Sequence, residues 1–475
     1  MLPLLCLSLL APPADGVVSR VVFGSCADQN KPCPTWERMA EAKPDLTLLL
    51  GDNVYADLEG GRLVPASAGK IARCYEQLAA VPGYQKLTAA APLMAIWDDH
   101  DYGKNDAGAE WMTKQEAQKL FHDFFGTPAD DPRRTRQGVY HSRTFGPAGK
   151  RLQVILLDTR YHRSELKVGP AQKFPGYDTI IRKPYQPDPD PAKTMLGAEQ
   201  WAWLAEQLKQ PADVRLLVSG VQVVTEDHPF EKWANLTAER NRLYKLIRDT
   251  GAAGVVCLSG DRHLGELALD PTSVGYPLYD LTSSGLNQGA KKWRRAEPNS
   301  RRVAAMPYGD NFGVVAIDWA AAEPAVSLEL RDDTGATTVR HVVPLGVLKP
   351  GTAVAVAEEK GPDDKPAAAA TMPAGVITAK DALGKVGETV TVQFVVQAGR
   401  ALPTRLLLNS EKAFTSKSNF TVVLNKAGQT GKWADATFDT FNGKTIRATG
   451  TVTRYKDAPQ VQIDDAGKLE IVDGK

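Results

Sequence analysis

Histidine is scarce in this chain, with seven in 475 residues. That scarcity argues against a histidine-rich zinc pair. Net charge is nearly absent: the formal value is +1, which gives no global pull toward nucleic acid or a membrane surface. Long apolar runs are also missing. The one near the start, Met1 to Ala14, is too short to span a bilayer, and no other is long enough. No internal repeat is detectable. The rest is ordinary for a globular protein, 43% hydrophobic and 24% charged, with a length that suits two to four domains and a large core.

The apolar start resembles the hydrophobic region of a secretory signal peptide, without the usual basic residues before it. We assign residues 1–16 to that role, which implies a secreted or periplasmic protein. Cys6 would leave with it. Cys33 and Cys74 lie in loop or helix contexts and could pair in an oxidising compartment. Cys257 sits within Val255-Val256-Cys257-Leu258 and reads as a buried spectator.

From Val17 to about Gly260, strands and helices alternate, which argues an α/β domain. The pattern predicts helices over Pro34–Lys43, Leu196–Leu208 and Ala238–Asp249, the last with Thr237 as N-cap and Gly251 closing it. It predicts strands over Leu93–Trp97, Leu152–Leu157, Arg215–Ser219 and Gly254–Ser259. Later strands, Pro277–Leu281, Gly313–Trp319, Val326–Arg331 and Thr337–Val343, are expected to complete a second sheet of the same domain, residues 17–345. Gly169–Lys193, rich in Pro, Gly, Asp and Tyr, reads as a long surface insertion. Residues 346–374 collapse to Ala, Lys, Glu, Asp, Pro and Gly and read as a disordered linker. Residues 375–475 read as a small all-β barrel of the OB type.

Chemistry concentrates where strands end. Asp98-Asp99-His100-Asp101 follows Leu93-Met94-Ala95-Ile96-Trp97. Packed carboxylates repel and lose hydration, so a bound cation is the usual remedy. The same arrangement recurs at Gly24-Ser25-Cys26, Gly51-Asp52-Asn53-Val54-Tyr55, Leu157-Asp158-Thr159-Arg160 and Ser259-Gly260-Asp261-Arg262-His263. In open α/β sheets, ligands bind at the carboxyl ends of strands. Cys26, Asp52, Tyr55, Asp99, Asp261 and His263 supply thiolate, carboxylate, phenolate and imidazole. Phenolate and carboxylates favour hard cations such as Fe(III), Mn(II) or Ca(II), and the thiolate adds a preference for iron. Asp52 has two oxygens with which to bridge two cations. His100, beside Asp99, would be placed to protonate a leaving alkoxide.

The ordered set Gly-Ser-Cys, Gly-Asp-x-x-Tyr, Trp-Asp-Asp-His, Leu-Asp-Thr-Arg and Ser-Gly-Asp-x-His resembles the PhoD-like alkaline phosphatases, a branch of the calcineurin-like metallophosphoesterases. The likeness covers roughly Ser19 to Leu345. It implies a two-sheet sandwich flanked by helices and a dinuclear centre of Fe(III) and Ca(II), with Mn(II) or Zn(II) as alternatives. By resemblance, Cys26, Asp52, Tyr55 and His263 match the iron side, and Asp52, Asp99 and Asp261 the second cation. His100 matches the acid or phosphate-binding histidine, and Arg160 a phosphate contact. The implied activity is hydrolysis of a small-molecule phosphate ester at alkaline pH, by a monomer. Two positions depart from the pattern: Asn53 stands where an aromatic residue is common, and Asp101 where glutamate is. The β-sandwich domain that many members carry before Gly-Ser-Cys has no counterpart in this sequence.

Each residue alone also has a structural reading: a turn at Asp52, a buried thiol at Cys26, a surface aromatic at Tyr55, a helix cap at Asp99 and His100, loop polar groups at Asp261 and His263, an ion pair at Arg160. Their joint occurrence, in order and at strand ends, favours the metal reading. His122, His141, His162, His228 and His341 read as structural. Gln222, where the wider superfamily places a ligand histidine, offers an amide oxygen to a cation or phosphate. The alternative function is a binding or accessory protein whose carboxyl-terminal barrel takes nucleic acid or a cell-surface polymer. The mild positive charge of residues 375–475 weighs against nucleic acid. The basic segment Gly289–Tyr308, with Lys291, Lys292, Arg294, Arg295, Arg301 and Arg302, would gather anionic substrate.

Overall fold

Two sheets carry the first unit, and their central strands follow from apolar runs that bury every position in Leu46–Leu50, Leu152–Leu156, Val214–Ser219 and Val255–Ser259. In the computed structural model these are β1 (Arg20–Gly24), β2 (Leu46–Leu50), β3 (Leu93–Ile96), β4 (His141–Phe145), β5 (Leu152–Leu156), β6 (Val214–Ser219), β7 (Val255–Ser259), β8 (Gly265–Asp270), β9 (Leu278–Ser283), β10 (Arg302–Met306), β11 (Asn311–Asp318), β12 (Ala325–Asp332) and β13 (Thr337–Pro344). The structure describes residues 16–174, 177, 179–290, 297–306, 308–352, 373, 375–402, 404–411, 419–434, 436, 440–441, 444–455 and 458–472. The chain divides into two compact units, Met1–Val356 and Ala357–Lys475.

One sheet has the order β13-β12-β11-β1-β2-β3, the other β10-β8-β9-β7-β6-β5-β4. Strands β1, β2 and β3 run parallel, as do β5, β6, β7 and β9. Their carboxyl ends therefore point the same way within each sheet. The late strands divide between the sheets: β9 joins the second, whereas β11 pairs antiparallel with β1 and brings β12 and β13 into the first. The expectation that all of them complete the second sheet fails because strand periodicity reports which face is buried, not which neighbour is paired.

Side chains alternate between two cores, as the two-residue period of a strand requires. Val21, Phe23, Leu46, Leu48 and Leu50 face the second sheet and pack in one cluster with Val154, Leu156, Leu216 and Val218. Val22 and Leu49 point the other way, into a cluster with Trp36, Met39, Tyr75 and Leu78. Those residues come from helices α1 (Thr35–Glu41) and α2 (Ala68–Ala79). The helices expected at Leu196–Leu208 and Ala238–Asp249 are present as Gly197–Leu208 and Thr237–Thr250, with Gly251 in the left-handed conformation at φ 65°. Thr237 is inside the second of these and Leu236 is its cap.

The expected leader at residues 1–16 lies almost wholly outside the described residues, and so do residues 353–372 and 374 of the expected linker. Leu348, at the start of that stretch, is buried in the core of the first unit. Cys33 and Cys74 are free thiols, as are Cys26 and Cys257. No helix among the described residues is long and apolar enough to cross a membrane.

In the second unit the paired strands run in the order Val376–Thr378, Thr389–Val395, Thr445–Tyr455, Ala458–Ile463, Thr421–Asn425, Arg405–Asn409 and Ala398–Leu402, with Leu469–Ile471 also on Thr445–Tyr455. They enclose Val392, Leu406, Phe420, Val422, Ile446 and Val461. No pairing among the described residues closes this path into a barrel.

Candidate metal centre

The two sheets meet at the carboxyl ends of their strands. Ser25, just past β1, forms a parallel bridge with Ser284, just past β9. The turns that leave β1 and β2 lie side by side, since Ala27 donates its N–H to the Asp52 carbonyl at 2.9 Å. Gly51 makes the next approach possible. Its φ is +95°, and a Cβ there would sit 2.5 Å from the Asp98 backbone nitrogen, so only glycine lets the exits of β2 and β3 touch.

Donor atoms gather in this cleft. One ligand atom each from Cys26, Asp52 and His263 lies within 4.8 Å of the others, and the same holds for Asp52, Asp99 and His100, and for Asp98, Asp99 and Asp261. Cys26 Sγ is 3.2 Å from Asp52 Oδ2 and 3.1 Å from Ser284 Oγ. Tyr55 OH is 2.9 Å from His263 Nε2, and its ring stacks on His100 at 4.1 Å. The structure thus brings together all six of the sequence-predicted ligands, Cys26, Asp52, Tyr55, Asp99, Asp261 and His263.

The backbone is bent to achieve this. Six non-glycine residues among those described have positive φ, and four of them are Cys26 (64°), Asp52 (50°), Asp261 (68°) and His263 (54°). Such conformations cost about 1–3 kcal/mol each and cluster at functional sites.

Electrostatics follow from burial. Burial, then the Asp52 charge, pushes the Cys26 thiol well above its ordinary value. Burial likewise raises Asp52, Tyr55 and Asp261. Burial works to raise Asp99 too, but the His100 and Arg160 charges outweigh it and hold the carboxyl low. At His100 burial opposes a proton, and Asp99, Asp52 and Asp57 together overcome it. Asp57 Oδ2, Asp98 Oδ2, Asp99 Oδ1 and Asp261 Oδ2 are buried without a hydrogen-bond donor. Ligand oxygens of Asp98, Asp99 and Asp261 lie within 4.8 Å of one another, an arrangement that fits a cation, and the surrounding thiol, phenol and imidazole add donors of the kinds metals take. The residues present could therefore hold metal ions.

Arg160, expected as a phosphate contact, lies among the carboxylates of the cluster. It is fully buried, with Nε 2.5 Å from Asp98 Oδ1, Nη1 2.7 Å from Glu231 Oε2 and Nη2 3.7 Å from Asp99 Oδ1. Asp98 and Asp101 form the capping box of the short helix Asp99–Tyr102, the Asp98 N–H donating to Asp101 Oδ1 at 2.6 Å. Gln222 has both ends of its amide engaged: Nε2 donates to Glu266 Oε1 at 2.6 Å and Thr282 Oγ1 at 2.9 Å, and Oε1 lies 2.9 Å from His228 Nε2. The basic residues Lys291, Lys292, Arg294 and Arg295 lie outside the described residues.

Sequence reasoning missed four participants. Asp57 Oδ1 is 2.6 Å from His100 Nδ1; its position two residues after Tyr55 was the available signal. Ser284 donates or accepts at Cys26 and takes the His263 N–H at 2.8 Å; Thr282-Ser283-Ser284 was a sixth polar strand end. Asp106, at φ 55°, donates its N–H to Asp99 Oδ2 at 2.8 Å. Glu231 pairs with Arg160 and with Arg163 at 2.9 Å. Neither Asp106 nor Glu231 sits in a recognisable motif.

Residues 21–270 match the family described as PhoD-like phosphatase. A solved structure described as that of PhoD matches with a TM-score of 0.52 and 17% identity, over 72% of this chain and 75% of that one. GAP50, described as the anchor in the inner membrane complex of Plasmodium, matches with a TM-score of 0.42 and 12% identity, over 71% of this chain and 91% of that one. The chain has no match among curated proteins.

Proposed function

The chain belongs to the PhoD-like phosphatase family, and from that premise we propose that it hydrolyses phosphate esters at alkaline pH with two metal ions. The observation that carries this reading is the meeting of Cys26, Asp52 and His263 with Asp98, Asp99 and Asp261 at the strand ends. Cys26, Asp52, Tyr55 and His263 would hold one ion, Fe(III). Asp52, Asp99 and Asp261 would hold the other, Ca(II), with Mn(II) or Zn(II) as alternatives. Bound there, such a pair supplies an activated water and neutralises charge on the phosphate.

The protein's own groups do the rest. A carboxylate can only accept, so His100 Nδ1 carries the proton shared with Asp57. That leaves Nε2 as the atom to give a proton to the departing alkoxide as its bond to phosphorus breaks. Arg160, buried against Asp98, Asp99 and Glu231, acts as a positioning residue that keeps those carboxylates in place. For residues 375–475 we retain an OB-like barrel as the proposed fold, with an accessory role.

The test is hydrolysis of a chromogenic phosphate ester by the metal-loaded full chain, with metal content measured in parallel. Activity should disappear in Asp99→Ala and with a strong chelator, and return when metal is restored to the wild type. A metal-loaded protein that turns over no phosphate ester would refute the proposal.

A further inference from the structure

Ser284 stands between two proposed ligands that come from different sheets. Its Oγ accepts the His263 N–H at 2.8 Å and lies 3.1 Å from Cys26 Sγ. Its backbone is held on both sides. It bridges Ser25, the residue before Cys26, and its N–H donates to the carbonyl of Leu264, the residue after His263, at 3.0 Å. Both Ser284 and Cys26 are fully buried.

A hydroxyl carries one proton. The His263 N–H is a donor and cannot take it. Among the described residues, Cys26 Sγ is the other group that hydrogen-bonds to the Ser284 hydroxyl. The Ser284 proton therefore points at the sulfur. Cys26 has no need to donate in return: a thiol proton there has Asp52 Oδ2 at 3.2 Å, and a thiolate has none. Ser25 is not an equivalent donor. Its Oγ is farther from the sulfur, at 3.5 Å, and has the Ser283 carbonyl at 3.3 Å to donate to.

We propose that Ser284 is a positioning residue that aims one O–H at the Cys26 sulfur, and so sets how much charge the thiolate gives to the cation it holds. The proposal rests on the metal-binding part of the reading above, and not on the ester. A hydrogen bond to an ionised acceptor is about twice as strong as one between neutral groups. Hydrogen bonds to a ligating sulfur tune the metal it binds. A thiolate that shares its charge with a hydroxyl donates less, which leaves the cation a stronger Lewis acid toward phosphate oxygen. The same hydroxyl holds the His263 backbone at its φ of 54°. One side chain thus governs the thiolate and steadies the imidazole.

The full chain, stripped of metal and reloaded with Co(II), reports on the sulfur directly. A sulfur-to-cobalt charge-transfer band should appear in the wild type and vanish in Cys26→Ser. Ser284→Ala removes the donor and raises the energy of the sulfur lone pairs, so at equal cobalt loading the band should move to longer wavelength. Ser284→Thr keeps the hydroxyl and should bring it back. A serine that only supports the fold would change cobalt content without moving the band. An unmoved band in loaded Ser284→Ala therefore overturns the proposal and leaves Cys26 a ligand. A wild type without the band removes Cys26 as a ligand and overturns the proposal with it. Should Ser284→Ala fail to fold, the wild type in D2O decides: exchange of the Ser284 proton should shift the cobalt–sulfur stretch in the Raman spectrum, and an unshifted stretch overturns the proposal. The expected band shift in a protein that turns over no phosphate ester would retain the role of Ser284 and sink the phosphatase reading.

Discussion

Asn53 and Asp101 hydrogen-bond to each other through their side chains, Nδ2 to Oδ2, and the Asn53 backbone N–H donates to the same oxygen at 3.2 Å. These are the two positions at which the sequence departs from the pattern of the family it resembles. The departures are partners. Asn53 also donates to the Ile96 carbonyl at 2.9 Å, and Asp101 caps the helix that carries Asp99 and His100. The pair therefore ties the exit of β2 to the exit of β3. Each of Asn53→Ala and Asp101→Ala should cost about 1–3 kcal/mol, since each leaves a buried partner unsatisfied. The double variant should cost less than their sum by about 1 kcal/mol in urea unfolding. Strict additivity would show that the two residues act independently.

Asp57 is 1% exposed and touches His100 at 2.6 Å. Asp57→Asn keeps the shape and removes the charge. We expect kcat to fall about tenfold to a hundredfold, with metal content unchanged, and His100→Gln to fall further. Wild-type turnover in Asp57→Asn would remove the histidine from the proton-transfer role that Asp57 is said to support.

Arg160 distinguishes support from substrate contact. Removing a fully buried guanidinium leaves Asp98 without its partner and Glu231 with Arg163 alone, at a cost of about 3–5 kcal/mol. Arg160→Met should therefore unfold at markedly lower urea concentration, and Asp98→Asn should recover part of the loss when combined with it. A variant of normal stability with only a raised KM would make Arg160 a phosphate ligand after all.

Tyr55 and Cys26 offer a spectroscopic test of the metal assignment. Phenolate or thiolate bound to Fe(III) absorbs visible light by ligand-to-metal charge transfer, so the purified protein should be coloured. Tyr55→Phe should shift or remove the band. A colourless protein without iron on elemental analysis would exclude Fe(III) and leave the hydrolase reading standing.

Acid sensitivity should come in part from a histidine outside the cleft. His122 is buried beside Thr127, and burial, then Arg133 and Arg134, lower its pKa to about 4. The folded value lies below the unfolded one, so the unfolded chain binds the extra proton. Stability is fully present above the unfolded pKa of about 6.5 and falls as pH drops toward 4, by at most about 1.4 kcal/mol per pH unit from this group. His122→Gln should flatten the melting temperature profile across that window. An unchanged slope would assign the sensitivity to carboxylates alone.

The gathering of the proposed ligand residues was legible because each follows an apolar run, and such runs end at one edge of a parallel sheet. The layer pairing was not. Gly313–Trp319 reads as a strand from its alternation, yet nothing in that alternation says it pairs with Val21 and Val22. Arg160 illustrates a second limit. Its motif position was visible, but whether its guanidinium faces solvent or protein depends on Glu231, 71 residues further along the chain. Asp106 and Glu231 reach the cleft from loops whose sequences carry no periodic or motif signal.

The left-handed backbone at Cys26, Asp52, Asp261 and His263 sets this centre against the thermostability of its own scaffold. Glycine at any of the four positions would relieve the local conformation and delete a proposed ligand in the same substitution. A variant library sorted for heat resistance alone, in the absence of metal, should therefore drift toward glycine at these positions and lose the centre while gaining melting temperature. Only a screen that also demands turnover would keep all four.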